Sequence, residues 1–219
     1  MTPELLFRIV DVTGVIANGL LGAAVARRHK FDLVGYLVLG TTGALGGGML
    51  RDMLIGRDFP VALTDPWYLG GAFGASVAGY LFNFDRKWSH RTIIVADSLV
   101  LGCWSATGAS KGLAAGLGWV PSIFLGVVTA VCGSMIRDVL VHETPSIFGG
   151  QPLYATFSFV AAAQMVAWQN AGHYEIGMGV AIVISCVFGL LARRYNWQLP
   201  THSPNFRSAA ARFKPKRKQ

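Results

Sequence analysis

Long apolar segments separated by short polar ones occupy almost the whole chain of 219 residues. A bilayer core about 30 Å thick is crossed by a helix of roughly 20 mostly apolar residues. Seven segments meet this requirement, at about Leu5 to Ala26, Leu33 to Ile55, Pro66 to Phe84, Thr92 to Ser110, Trp119 to Leu140, Leu153 to Asn170, and Tyr174 to Ala192. The pattern predicts an all-α, polytopic membrane protein with seven transmembrane helices.

Basic residues are concentrated on one side of these segments. Of the 19 lysines and arginines, 14 follow the first, third or seventh segment or lie in the C-terminal tail. Since positive residues of short loops stay preferentially in the cytoplasm, the C-terminus is predicted to be cytoplasmic and the N-terminus external. Arg57 and Lys111 are then expected in external loops. Four aromatic residues are expected in the belt at the external interface: Trp67, Tyr68, Trp119 and Trp168.

Composition supports the membrane assignment. Hydrophobic residues make up 53% of the chain and charged residues 14%, which is too apolar for a water-soluble globular domain. The net charge of +8 is explained by topology, so no nucleic-acid partner is predicted. We expect one transmembrane domain over residues 1–199 and a basic, disordered cytoplasmic tail over 200–219, which contacts anionic lipid headgroups or serves orientation alone.

The strongest signal in the sequence is an internal repeat with an offset of 86 residues. The segment from Leu39 to Leu54 aligns without a gap on Leu125 to Leu140, with 8 of 16 positions identical, and the same offset carries Asp11 onto Asp97. Each copy contains three segments, over residues 5–84 and 92–170. Because three is an odd number, the copies enter the membrane from opposite faces, and the segment at 174–192 is an additional helix. Inverted repeats of this kind are typical of transport proteins.

Glycines stand near the centre of the second and fifth segments. The positions concerned are Gly46, Gly47 and Gly48 in the first repeat, with Gly133 and Ser134 in the second. Each interior glycine costs a helix roughly 1 kcal/mol relative to alanine, so a compensating role is expected. One interpretation is close helix packing through small faces. The other, which we favour, is that both helices are kinked or broken there and line a water-filled path.

Ionisable residues follow the glycines in both repeats. They are Arg51 and Asp52 in the first copy, Arg137 and Asp138 in the second, and Asp11 and Asp97 on the preceding helices. A charged side chain in the apolar region costs roughly 2.5 to 3.5 kcal/mol and is normally paired or faces water. Each end of the path is therefore predicted to hold one aspartate and one Arg-Asp pair. These residues either line a path or form buried ion pairs that fix helix register.

The sequence offers no catalytic or metal-binding pattern. The five histidines fall at segment ends or in the tail, and the three cysteines lie inside apolar segments without ligand spacing. Neither an enzyme nor a cofactor is predicted.

At the blocks from Gly46 to Asp52 and from Cys132 to Asp138, and in its 3 + 3 + 1 organisation, the chain resembles the prokaryotic branch of the trimeric intracellular cation (TRIC) channel family. The resemblance covers roughly Asp11 to Ala192. It implies a homotrimer in a bacterial or archaeal plasma membrane, with one pore per protomer that is lined by the glycine-kinked second and fifth helices and is permeable to potassium and sodium. Some bacterial relatives with the same motif are described as glycine transporters.

Three functions follow from these observations. The leading one is a channel for monovalent cations, and the second is a secondary transporter of a small amino acid such as glycine. The third is a membrane scaffold, in which the ionisable motif is structural only. The arginines beside the path favour an anionic or zwitterionic solute unless the aspartates neutralise them.

Overall fold

The computed structural model describes residues 3–82, 90–148 and 154–195, and within these ranges the chain is helical and contains no strand. The long helices are α1 (Pro3–Arg28), α2 (Leu33–Leu54), α4 (Pro66–Leu81), α5 (His90–Ala114), α6 (Trp119–Leu140), α7 (Tyr154–Asn170) and α8 (Tyr174–Arg194). A single-turn helix, α3 (Val61–Thr64), precedes α4, and a 3-10 turn (Ser146–Phe148) follows α6. Each predicted segment contains one long helix, which confirms the all-α class.

The bundle has the surface of a membrane protein. Four of the described helices contain a stretch long and apolar enough to cross a bilayer, namely Arg8–Arg28, Leu33–Leu54, Trp119–Leu140 and Tyr174–Ala192. Large apolar side chains face outward, among them Trp67, Trp119 and Phe124, each more than 60% exposed. The interior is instead rich in alanine, serine and threonine. Small residues inside and large apolar residues outside allow close helix packing within lipid.

The helices pack in two groups of three. Helices α1, α2 and α4 contact one another, and α5, α6 and α7 do the same. Contacts of α2 with α6 and of α1 with α5 join the two groups, while α8 packs on α5 and α7.

Polar contacts show which helix ends share a face of the bundle. Arg27, near the end of α1, donates to the carbonyl oxygens of Gly79 (2.6 Å) and Phe82 (2.8 Å) at the end of α4. His29, after α1, contacts Glu143, after α6, at 3.1 Å. We call this side the His29 face.

The start of α1 lies at the opposite side, which we call the Asp65 face. There Arg8 forms an ion pair of 2.7 Å with Asp65, the residue that caps the start of α4. Lys111, near the end of α5, interacts electrostatically with Asp52, near the end of α2. Because α5 ends at the Asp65 face and α1 at the His29 face, these two helices run in opposite directions.

Helices α2 and α6 cross at backbone contact distance through glycines. A Cβ added at Gly133 would lie 2.6 Å from the carbonyl oxygen of Gly43, and one added at Gly47 would collide with the carbonyl oxygen of Thr129. The offset of 86 carries Gly43 onto Thr129 and Gly47 onto Gly133, so the two contacts are equivalent. The crossing therefore requires glycine at both positions.

The turns that end equivalent helices also share a geometry. Lys30 (φ 56°) and Gly116 (φ 82°) adopt the left-handed conformation after α1 and α5, and Gly56 (φ 79°) and His142 (φ 58°) adopt it after α2 and α6. Both pairs are separated by 86 residues. A left-handed residue is a common way to end a helix, because it lets following N–H groups reach the last free carbonyls.

Candidate functional site

A group of buried polar side chains near the Asp65 face forms the first half of the site, and we call it the Arg51 cluster: Asp11, Arg51, Asp52 and Tyr68. The side chain of Arg51 donates from Nε to Oδ1 of Asp52 at 2.8 Å, and the two side chains are 4% and 1% exposed. Oδ2 of Asp52 accepts a hydrogen bond of 2.8 Å from the backbone N–H of Val61. Asp52 thus neutralises Arg51 and holds the start of α3 at the same time.

The second carboxylate of the Arg51 cluster has a neutral partner. Oδ2 of Asp11 accepts a hydrogen bond of 2.7 Å from the hydroxyl group of Tyr68, and both residues are buried. Tyr68 was expected in the interfacial belt, and this expectation was wrong. The offset of 86 that carries Tyr68 onto Tyr154 was the signal that distinguished it from the neighbouring Trp67.

The Arg51 cluster surrounds a small cavity. Its walls also include Gly48 of α2, Trp104 of α5 and Thr129 of α6, and it offers about 20 Å³ to the centres of water molecules. This volume suits one or two waters, and the surrounding carboxylate and hydroxyl groups supply hydrogen-bonding partners for them. The structure therefore brings Asp11, Arg51 and Asp52 together, as their predicted positions at one end of the path required.

Lys111 is a further charge close to the Arg51 cluster, and the sequence predicted it in a loop. The structure places it within α5, half-buried, because the helix continues four residues beyond the predicted segment end. It interacts electrostatically with Asp11, Arg51 and Asp52, and with Arg57 in the loop after α2. The long aliphatic part of a lysine explains how a residue near a helix end can place its charge at a buried cluster.

The second half of the site lies toward the His29 face. Arg137 donates from its terminal nitrogen to Oδ1 of Asp138 at 2.8 Å, with the two side chains 13% and 6% exposed. The aliphatic part of Arg137 passes close to Gly43, where an added Cβ would lie 3.6 Å from its Cδ. Asp97 is half-buried on α5 and is also engaged in an interaction. Arg51 and Arg137 thus approach the α2–α6 crossing from opposite ends.

The glycines fall into two groups. Gly47 and Gly133 occupy the crossing itself, whereas Gly48 faces the cavity, with an added Cβ 3.6 Å from a terminal nitrogen of Arg51. Gly46 lies against Ile136 of α6, and Ser134 donates to the carbonyl oxygen of Val131 at 2.9 Å. Neither α2 nor α6 is interrupted at these residues, so the helices are not broken there, while a kink and a water-filled path stay predictions. Close packing explains Gly47 and Gly133.

A partly exposed ion pair lies at the Asp65 face. Asp65 accepts from the backbone N–H of Trp67 at 3.1 Å and from Arg8 at 2.9 Å. The Arg8 guanidinium holds the pKa of the Asp65 carboxyl below its ordinary value. The pair links the start of α1 to the start of α4.

Comparison with known proteins shows which family has this arrangement of helices. The model of a family described as "Glycine transporter" matches the chain twice, over residues 8–83 and 94–170. A UPF0126 membrane protein of Deinococcus radiodurans is 35% identical over 166 residues, covering 75% of this chain and 76% of the relative. The UPF0126 inner membrane protein YadS of Escherichia coli K12 is 29% identical over 195 residues, covering 88% and 94%.

Solved structures with the same fold are cation channels. One, described under conductance through TRIC cation channels, is 30% identical with a TM-score of 0.82 and covers 90% of this chain and 97% of its own. The TRIC channel orthologue from Rhodobacter sphaeroides is 28% identical with a TM-score of 0.80, covering 87% and 98%.

The fold and the duplicated buried Arg-Asp pairs therefore define a multi-pass helical membrane protein of the TRIC channel class, and the resemblance inferred from the repeated motif is confirmed. The chain belongs to the family described as "Glycine transporter".

Proposed function

We propose that this protein is a channel for monovalent cations such as potassium and sodium, with one path per protomer along the α2–α6 crossing. The observation that carries the proposal is the match to TRIC cation channels over 90% of the chain at 30% identity. The names of the relatives support a bacterial or archaeal plasma membrane as the location.

The proposed architecture has two inverted three-helix repeats, an additional helix α8 and a cytoplasmic C-terminus. Support for the repeats comes from the two matches of one family model and from the equivalent glycine contacts at the α2–α6 crossing. Support for the inversion comes from the helix ends, since α1 ends at the His29 face and α5 at the Asp65 face. In this topology the Asp65 face is external and the His29 face cytoplasmic.

Buried charges at both ends explain how such a path would select cations over anions. Arg51 and Arg137 repel cations, but Asp52 and Asp138 neutralise them directly. Asp11 and Asp97 each add a negative charge, which favours cations over anions, and Lys111 offsets the charge of Asp11 at the Asp65 end. Gly48 and Ser134, equivalent under the repeat, complete the proposed lining without bulky side chains.

Single-channel recording of the purified protein in planar bilayers tests this proposal. The expected result is a conductance in asymmetric potassium chloride whose reversal potential lies near the potassium equilibrium potential. Arg51→Gln and Arg137→Gln should each change conductance or cation-over-anion selectivity, with the exposed Arg28→Gln as the matched control. Loss of thermal stability in both variants, with unchanged conductance and selectivity in the surviving protein, would falsify the pore role of these arginines.

Transport of glycine or another small amino acid is the second candidate, and the description of the matching family model favours it. The neutral charge balance of the Arg-Asp pairs also suits a zwitterionic solute. Uptake of radiolabelled glycine into proteoliposomes, measured beside the recordings, separates the two functions. Saturable uptake without single-channel conductance would reject the channel.

A homotrimer is the proposed assembly, because the solved structure from Rhodobacter sphaeroides is described as a trimeric channel. The described exterior offers small residues for close contact between protomers, such as Gly70 and Gly74 of α4, where an added Cβ meets nothing within 4 Å.

A further inference from the structure

Lys111 lies on the face of α5 that lines the cavity of the Arg51 cluster. Trp104, seven residues earlier, is part of the cavity wall, and Gly108 packs against the side chain of Thr129, another part of that wall. Residues at i, i+4 and i+7 share one face of a helix, so Lys111 lies on the cavity side of α5. It is one turn nearer the end of the helix than Gly108. Its electrostatic interactions with Asp11 and Asp52 agree with this position.

Under the offset of 86, the counterpart of Lys111 is uncharged. The equivalent residue is Val25 on α1, whereas Asp11, Arg51 and Asp52 have charged counterparts in Asp97, Arg137 and Asp138. With Lys111, the charges at the Asp65 end balance to zero. The charges of the three equivalent residues toward the His29 face, Asp97, Arg137 and Asp138, sum to −1.

We propose that Lys111 is a specificity-determining residue. Its charge makes the entry of cations at the Asp65 end of the path the limiting step of conduction and gives the channel a rectifying conductance. This inference rests on the proposed cation channel. The lysine lowers the local cation concentration at its own end only, so cation current entering from the Asp65 face is smaller than current entering from the His29 face at equal and opposite voltage.

The size of the effect follows from elementary electrostatics. A unit charge about 7 Å from the path changes the local cation concentration about threefold in water-like surroundings before screening, and more where the path excludes solvent. Screening by salt shortens the range from about 10 Å in 0.1 M to about 3 Å in 1 M solution. Rectification of about threefold or less is therefore expected at low salt, and it should fade at high salt.

The test compares wild type with Lys111→Met and Lys111→Arg in excised patches of giant spheroplasts, in which the membrane orientation is fixed. Single-channel conductance is measured at both polarities in symmetric potassium chloride at about 0.1 M and about 1 M. Lys111→Met retains most of the length of the side chain but removes the charge, and Lys111→Arg retains the charge. Arg28→Gln, exposed at the end of α1 on the His29 face, is the matched control for removal of a positive charge at the opposite side of the bundle.

We expect wild type and Lys111→Arg to rectify at low salt and less at high salt, and Lys111→Met to conduct more from the Asp65 face and to lose the asymmetry. A lysine with a structural role alone would change the number of active channels but not the ratio of conductances in the two directions. Symmetric wild-type currents at low salt would overturn the inference and leave the channel intact, and this measurement needs no variant to fold. Unchanged rectification in Lys111→Met would also overturn it. Saturable glycine uptake without any cation current would overturn both proposals.

Discussion

Gly47 lies where α2 crosses α6, and its replacement by alanine measures how much the bundle depends on that crossing. The added Cβ would collide with the carbonyl oxygen of Thr129 and approach the backbone nitrogen of Gly133 at 3.3 Å. A backbone oxygen cannot rotate aside as a side chain can, so the two helices must separate. Overpacking of this kind costs about 1 to 3 kcal/mol, and the better helix propensity of alanine offsets about 1 kcal/mol of it.

We therefore expect Gly47→Ala to lower the free energy of unfolding by up to about 2 kcal/mol, and Gly133→Ala to act similarly against Gly43. The assay is thermal unfolding of the detergent-solubilised protein, followed by size-exclusion chromatography. Gly48→Ala is the matched control, because its added Cβ would make only an ordinary contact with Arg51, at 3.6 Å. Equal stability of the Gly47 and Gly48 variants would refute the reasoning and remove the crossing as the explanation for Gly47.

Three further predictions concern flux, electrostatics and topology. Gly48→Ala should reduce conductance without lowering stability, since this residue faces the cavity; full conductance in the same bilayer recordings would count against its place in the path. Asp65→Asn should change how thermal stability depends on pH. The ion pair with Arg8 lowers the pKa of Asp65, so the pair stabilises the wild type above about pH 4, and this stabilisation disappears as the pH falls through the lowered pKa. The variant lacks the ion pair and should not show this loss of thermal stability at acid pH. In a cysteine-free background, Arg28→Cys should react with an impermeant thiol reagent from the cytoplasmic side and Asp58→Cys from outside; labelling of both from one side would contradict the proposed topology.

Close backbone approach and buried charge explain different parts of the repeated motif. The sequence allowed two interpretations for the glycines as a group, close helix packing and the lining of a kinked or broken path. The contacts divide them, since Gly47 and Gly133 meet backbone atoms of the facing helix while Gly48 meets the cavity. Sequence periodicity could not make this division. It gives the direction in which each glycine of a helix points, but not whether a neighbouring helix or a cavity lies in that direction.

The sequence by itself determined the helical class, the membrane class and the residues of the charged motif, and it predicted the duplication. Segment length reflects bilayer thickness. Because a buried charge is energetically costly, an ionisable residue in an apolar segment is expected to have a role, whichever direction its side chain takes. Family membership followed from the resemblance of the repeated motif to that of the TRIC channel family.

Only the tertiary structure decided the partners. Asp11 binds Tyr68, from a helix more than fifty residues away, while Arg51 pairs with its neighbour Asp52. Lys111 reaches the Arg51 cluster because α5 extends beyond its apolar segment and packs with that face against the cavity wall. Such pairings depend on how helices that are distant in sequence cross in space. The sequence pattern does not give the spatial distance between their side chains.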